Sequence, residues 1–180
     1  MGSNRLKLNA DKTQVIWVGT RQQLDKIHIT ELQLQSEKVQ FADTVSDLGV
    51  VVDSQLIMSA HMTAVSRSCL FQLRQLRTVR HSLSMDAAKT LVSAFISSRL
   101  DYCNSLLAGV TSGLLTKLQS VQNAAARFAT MSWKFDHITP VLRDLHWLPL
   151  RRRIDFKVAT LVYKCLHGFA PPYLAEDCVL

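Results

Sequence analysis

Asp47-Leu48-Gly49-Val50-Val51-Val52-Asp53 is a short apolar run bounded by turn residues, and within a few residues the apolar spacing changes. From about Ser59 the apolar positions fall at Met62, Val65, Cys69, Leu73 and Leu76. A short apolar run bounded by turn signals reads as a strand. The second spacing is the inner stripe of a helix with a period of 3.6 residues. The period changes once along the chain, which predicts an α+β fold: a short antiparallel sheet over residues 1–57, then a helical bundle over 58–180.

Upstream, Val15-Ile16-Trp17-Val18 is apolar without alternation, the pattern of a strand buried on both faces, and Gly19 ends it. Lys26 to Thr30 alternates, with Ile27 and Ile29 on one face, and Val39 with Phe41 repeats that pattern. Leu48 to Val52 is a further strand, and Gly49 inside it marks either a bulge or a close backbone approach. Downstream, Ser84 is the N-cap of a second helix, with Asp86 in its first turn. That helix is expected to run to about Leu107, stop at Gly109 and form the buried centre of the bundle. Ser112 opens a third, lined by Leu114, Leu118, Val121, Ala125 and Phe128, with Ala124 to Ala126 permitting close approach. A short helix follows over about Thr139 to Leu145. Pro149 starts the last long one, which ends near Gly168 before Pro171 and Pro172. Trp133 and Trp147 flank the short helix, near His137 and His146, and are expected to pack the last helix onto the bundle.

Hydrophobic residues make up 48% of the 180, enough for a sizeable core. No apolar run is long enough to cross a membrane. Met1 to Asp11 lacks the apolar core of a secretory signal. Cys69, Cys103, Cys165 and Cys178 show no paired spacing and read as reduced core residues of an intracellular protein, nuclear or cytoplasmic. Cys165, His167 and Cys178 match no common zinc spacing. The net charge of +7 is unevenly placed. Residues 1–57 hold 6 Lys/Arg against 7 Asp/Glu, and residues 58–180 hold 15 against 7. A surplus confined to the helical part is the footprint of a surface that meets a polyanion.

Two stripes carry that surplus. Arg67, Arg74, Arg77 and His81 fall on one side of the first helix, away from Met62, Cys69 and Leu76. On the last helix Arg153, Lys157 and Lys164 share a face, with Arg151 and Arg152 at its start. Such stripes either contact phosphates or are ordinary solvated faces. Aromatic residues are not interleaved with the charges on the first helix and only sparsely on the last, which argues against base stacking and single-strand specificity. Lys12, between Leu8-Asn9 and an apolar run, reads by itself as a solvated turn residue. Gly109-Val-Thr-Ser-Gly113 imitates a nucleophile elbow with its serine one place too late.

Leu8-Asn9-Ala10-Asp11-Lys12-Thr13-Gln14-Val15-Ile16-Trp17-Val18-Gly19, the Asp47–Asp53 run, and Arg99-Leu100-Asp101-Tyr102-Cys103-Asn104-Ser105-Leu106-Leu107 occur in that order. Gln122-Asn123-Ala124-Ala125-Ala126-Arg127 and Val158 to Leu174 follow. Together they resemble the C-terminal part of the reverse transcriptase of LINE-type (non-LTR) retrotransposons, of the jockey and chicken-repeat kind. The resemblance implies the last palm strands, residues 1–57, followed by a helical thumb and C-terminal helices, residues 58–180. It implies that Lys12 lies near the incoming nucleotide's phosphates and that Leu48-Gly49-Val50 is a primer-grip-like hairpin. The basic stripes would then track an RNA/DNA template-primer duplex.

In that family palm aspartates hold two Mg2+ ions, at an aromatic-Ala-Asp-Asp turn that precedes the Asn9–Thr13 motif. Here Phe41-Ala42-Asp43-Thr44 lacks the second aspartate and follows that motif, so Asp43, Asp47 and Asp53 read as strand-end turn residues. The resemblance therefore implies a non-catalytic stretch of an RNA-directed DNA polymerase, with no metal or catalytic residue of its own. Its residual capacity would be sequence-nonspecific template-primer binding, and a missing N-terminal polymerase half is a further expected partner. The alternative is a decayed or repurposed helical protein-interaction module with no nucleic-acid role. An enzyme in its own right, dependent on Asp43, is the weakest reading.

Overall fold

The computed structural model describes residues 9, 12–34 and 37–178. Residues 1–8, 10 and 11, which include the start of the Leu8–Gly19 motif and most of the stretch read above for a signal, lie outside the described residues. The chain is α+β and packs as two compact units, Met1–His61 and Met62–Leu180. The division falls in the first turn of α2 (Ser59–Arg77).

The first unit carries two separate hairpins, not one sheet. β1 (Glu31–Leu34) pairs with β2 (Glu37–Gln40), with Leu32 opposite Val39, and β3 (Thr44–Asp47) pairs with β4 (Val50–Asp53), with Val45 opposite Val52. The strand expected over Lys26 to Thr30 begins only at Glu31. Thr20 and Gln23 form a capping box in which the Gln23 side chain accepts from the Thr20 N–H at 2.9 Å, and this starts the short helix α1 (Arg21–Leu24). The chain then turns, with Ile27 N–H donating to Leu24 O at 3.0 Å, and Ile29 is left exposed.

Val15–Val18 is not a strand buried on both faces. A buried strand needs a ladder and cover on each side, whereas Val15 makes one parallel bridge, to Phe41. Trp17 stacks on Phe41 at 5.0 Å between ring centres, yet Trp17 and Val18 remain 39% and 54% exposed. Leu48 and Gly49 are likewise not strand residues. They are the two central residues of the β3–β4 turn, with φ of 46° and 83°. Positive φ at both positions is what a two-residue hairpin of type I′ demands, so Gly49 answers a turn and not a bulge. Asp53 ends β4 by accepting from the N–H groups of Gln55 (3.2 Å) and Ile57 (2.9 Å).

His61, buried at the start of α2, accepts at Nδ1 the hydrogen bond of Val51 N–H (3.3 Å), an amide that β3 leaves unpaired. Acceptance requires the neutral ring, and burial lowers the His61 pKa below its ordinary 6.5. In the range between the lowered and the ordinary value the unfolded chain binds more protons than the folded one, so stability falls as the pH drops below about 6.5. The β3–β4 hairpin is therefore expected to open more readily at about pH 5 than at about pH 7.5. Amide exchange at Val51, compared with His61→Gln, whose amide oxygen accepts without titrating, checks this. The same pH dependence in the variant would assign the effect elsewhere.

In the second unit α2 buries Cys69 and Leu73 beside Met62, with Val65 and Leu76 half-buried. The next helix starts where its cap was expected. Ser84 Oγ accepts from Ala87 N–H at 3.2 Å and opens α3 (Met85–Val92). It is not the uniformly buried centre, however. Its buried residues Ala88, Val92, Ile96 and Leu100 are spaced by four, and Phe95 is 39% exposed. In a regular α-helix four residues overshoot one turn, so this stripe would drift around the axis. A π turn over Ser93–Ser97 widens the helix there and counters the drift before α4 (Ser98–Asp101) continues it. The helix ends at Tyr102, short of Leu107. Cys103 takes a left-handed conformation (φ 49°), and a 3-10 turn spans Asn104–Leu107.

The buried centre is α5 (Ser112–Thr130), which packs on α3, α6 (Ile138–Asp144) and α7 (Leu150–Leu166). Ala125, Ala126 and Ala129 are fully or almost fully buried, and their small side chains let neighbouring helices approach. α6 closes with a Schellman motif: His146, at φ 55°, donates to Arg143 O (2.9 Å) and Trp147 N–H donates to Leu142 O (2.8 Å). Trp147 then packs against Ala126, Leu142 and Leu145. Trp133 departs from the expectation, being 80% exposed. α7 ends in the same motif, with Gly168 at φ 72° and Phe169 N–H donating to Lys164 O at 2.8 Å. Pro171 and Pro172 then open the single turn of α8 (Pro172–Ala175).

Candidate nucleic-acid interface

The cations of the second unit divide by what their guanidinium or ammonium groups touch. Arg67, Arg74 and Arg77 are exposed on the outer side of α2, and His81 is exposed in the 3-10 turn Arg80–Ser82 that follows it. Phe71, 54% exposed, lies one turn after Arg67 and one turn before Arg74, so an aromatic ring does stand among these charges, contrary to the sequence expectation. On α7, Arg151, Lys157 and Lys164 are exposed. Arg152 is exposed too and lies 3.8 Å from the half-exposed carboxylate of Asp155, an i,i+3 pair too weak to withdraw it from the surface.

Arg153 is different. Its Nη1 donates to both carboxylate oxygens of Asp101 (3.0 and 2.9 Å) and its Nε donates to Leu148 O (3.0 Å), and only 15% of its side chain is exposed. It ties the first turn of α7 to the end of α4. Gln119 and Gln122 of α5 complete that tie. Gln119 Oε1 accepts from Leu150 N–H (2.8 Å), one of the donors that a helix start leaves unpaired, and Gln122 Nε2 donates to Leu148 O (2.8 Å). The Gln122–Arg127 motif thus has a structural task at its first residue.

Arg80, which the stripe reading passed over, is buried. Its Nε donates to Phe128 O (2.6 Å), its Nη2 to Ala129 O (2.8 Å) and its Nη1 to Leu83 O (2.9 Å), while its guanidinium stands 5.6 Å from the centre of the Phe128 ring. No glycine closes α5; Met131 takes the left-handed conformation instead (φ 57°). Arg80 supplies the cap for the last carbonyls of α5, where the helix dipole also favours a cation.

Beside this clamp lies a cleft of about 600 Å³ whose walls include Arg77, Arg80, His81, Arg127 and Lys134, with no carboxylate among its lining residues. Arg127 Nη2 donates to Asp136 O at 3.3 Å, while its buried Nε has no acceptor among the described residues. Arg127 and Lys134 escaped the sequence reading because they belong to different elements from α2 and meet it only in the fold. The interleaving Trp133-Lys134-Phe135 was the one signal legible beforehand.

In the first unit Lys12 is exposed at a turn, its N–H donating to Asn9 O (3.2 Å), and Thr13 Oγ1 donates to the same carbonyl (2.8 Å). Leu48 and Gly49 form the exposed tip of the β3–β4 hairpin, and Val50, directly after it, is buried. Asp47 and Asp53 lie at opposite ends of that hairpin, and one Asp53 oxygen is engaged by its own turn. Among the described residues no three His, Cys, Asp or Glu side chains gather to hold a metal ion. His167 stacks on Tyr163 at 4.0 Å, and its Nδ1 lies 2.9 Å from Tyr163 O, so it is not joined to Cys165 and Cys178 as a ligand set. Burial and the adjoining Cys178 thiol raise the Cys165 pKa. Burial pushes the Cys69 thiol up to about 11, with Arg99 opposing, which makes it a poor nucleophile.

No helix among the described residues is long and apolar enough to cross a membrane. No protein-family model, curated protein or solved structure matches the chain.

Truncating Arg80 leaves buried helix-end carbonyls without donors, so Arg80→Ala is expected to destabilise the second unit by about 2–4 kcal/mol. Arg74→Ala, at an exposed position, is expected to stay within about 0.5 kcal/mol of the parent. Urea unfolding of the two variants measures the difference, and equal midpoints would contradict the clamp.

Proposed function

We propose that this chain is a post-catalytic palm and thumb stretch of a non-LTR retrotransposon RNA-directed DNA polymerase, and that it binds template-primer duplex without reading sequence. The observation that carries the proposal is the partition of charge. The hairpin unit is close to neutral, the surplus lies in the helical unit, and Arg67, Arg74, Arg77, Arg151, Lys157 and Lys164 of that unit are exposed. Arg67, Arg74 and Arg77 on α2, and Lys157 with Lys164 on α7, stand one or two helical turns apart and suit contacts to successive phosphates. The order of the motifs supports the same reading. The half-covered Val15–Val18 segment also agrees with a palm strand whose further neighbours belong to the catalytic half. In this reading the stretch has no catalysis of its own, and Lys12 and the Leu48-Gly49-Val50 turn act only beside that half, which brings the Mg2+-binding aspartates.

One observation favours the rival reading of a protein-interaction module. Phe156, Val162, Tyr163 and Leu166 form an exposed apolar face on α7, and exposed patches of this kind mark association surfaces.

Fluorescence anisotropy of an RNA–DNA hybrid duplex across a salt series separates the two. Release of counterions from even four phosphates weakens binding by about 100-fold between about 50 and 200 mM salt. Arg67→Ala with Arg74→Ala, or Arg151→Ala with Lys157→Ala, is expected to reduce the slope of log affinity against log salt by about 0.9 per cation removed. Affinity indifferent to salt, or none at low salt with self-association through α7, would favour the interaction module.

A further inference from the structure

The cleft beside Arg80 has a feature that duplex tracking does not use. The turn after α5 presents Trp133, 80% exposed, and Phe135, 91% exposed, on either side of Lys134, itself a wall of the cleft. The turn is pinned. Trp133 N–H donates to Asp136 Oδ2 (2.7 Å), Asp136 N–H donates back to Trp133 O (3.2 Å), Arg127 holds Asp136 O, and the hydroxyls of Thr130 and Ser132 lie 2.6 Å apart. Lys134 Nζ stands 5.6 Å from the centre of the Phe135 ring. Two large rings held out in water on a pinned turn cover little of their own chain, and the packing of the unit does not account for their exposure.

We infer that the cleft and this turn form a binding site for unpaired, single-stranded nucleic acid, with phosphates in the cleft and bases stacked on Trp133 and Phe135. A concave basic wall next to exposed aromatic faces is the combination that holds a single strand, because every base offers a face for stacking while its bases in a duplex are already stacked. The guanidinium fork of exposed Arg77 suits phosphate oxygens. A membrane surface fits less well, since interfacial anchoring uses the long apolar face of an amphipathic helix, and here two rings stand on a short turn. The site rests on the proposed function only for the partner's class. It employs residues outside the α2 and α7 rows except Arg77 and His81.

The test compares the full chain with Trp133→Ala/Phe135→Ala and with Arg67→Glu/Arg74→Glu, against a homopyrimidine single strand and an RNA–DNA hybrid duplex. Both pairs of positions are exposed, so folding is expected to survive in each. The aromatic variant is expected to lose about tenfold or more in single-strand affinity and to bind the hybrid as the parent does. Trp133→Phe, which keeps a ring, is expected to retain most of the affinity. The charge variant is expected to lose mainly hybrid binding, and failure of that arm alone would count against the duplex proposal and not against this site. Unchanged single-strand binding in the aromatic variant would overturn the inference. So would an equal loss on both nucleic acids. Absence of single-strand binding at low salt, with Trp133-dependent binding to phosphatidylserine–phosphatidylcholine vesicles or to polyglutamate, would assign the turn to a lipid or an acidic protein instead.

Discussion

The helical unit depends on how its central helix is closed at its end. α5 has no glycine to terminate it, and its last carbonyls are received by the buried guanidinium of Arg80. That single side chain fixes the segment after α2 against the end of α5, although the two are far apart in sequence. At the other side of α5, Gln119 and Gln122 hold the backbone around Leu148 and Leu150, and Arg153 adds its pair with Asp101. The positions of both basic rows and of the cleft follow from these polar ties. Apolar packing alone, being non-directional, would leave helix ends free to slide.

The same ties change how the charge of the chain is to be read. A formal surplus counts every arginine alike, but Arg80 and Arg153 face carbonyls and a carboxylate inside the unit. They orient the structure and are not offered to a ligand. Exposed cations on the outer sides of α2 and α7, with Arg77, His81 and Lys134 along the cleft, are left for a polyanion. Long-range attraction still follows the net charge, because hydrogen bonds to neutral carbonyls do not remove the charge of Arg80, but fewer cations are left to touch a ligand directly.

The α+β class was legible because the apolar period changes once, and the helices were legible where a cap or a stripe marks them: Ser84, the Met62–Cys69–Leu73 series, Pro149 and Gly168. The errors have physical causes. Val15–Val18 has strand composition, but composition does not supply a ladder partner. Gly49 was read inside a strand because the two-residue turn places a leucine, Leu48, at positive φ, where a glycine or asparagine would have announced the turn. Thr20 and Gln23, spaced as a capping box, mark the start of α1 in the sequence itself. The break at Tyr102 was not legible, since no glycine or proline marks it. Within the site, the exposed members of the rows on α2 and α7 could be found from helical spacing. Arg80, Arg127 and Lys134 could not, because what joins them is tertiary contact between α2, α5 and the turn beyond α5.

Lysine acetylation of the full chain, mapped residue by residue with and without nucleic acid, tests the central claim most directly. Protection is expected at Lys134, Lys157 and Lys164 in the helical unit, with unchanged reactivity at Lys26 and Lys38 in the hairpin unit, at the same ionic strength. Equal reactivity at all five lysines with and without nucleic acid, or protection confined to the hairpin unit, would contradict it.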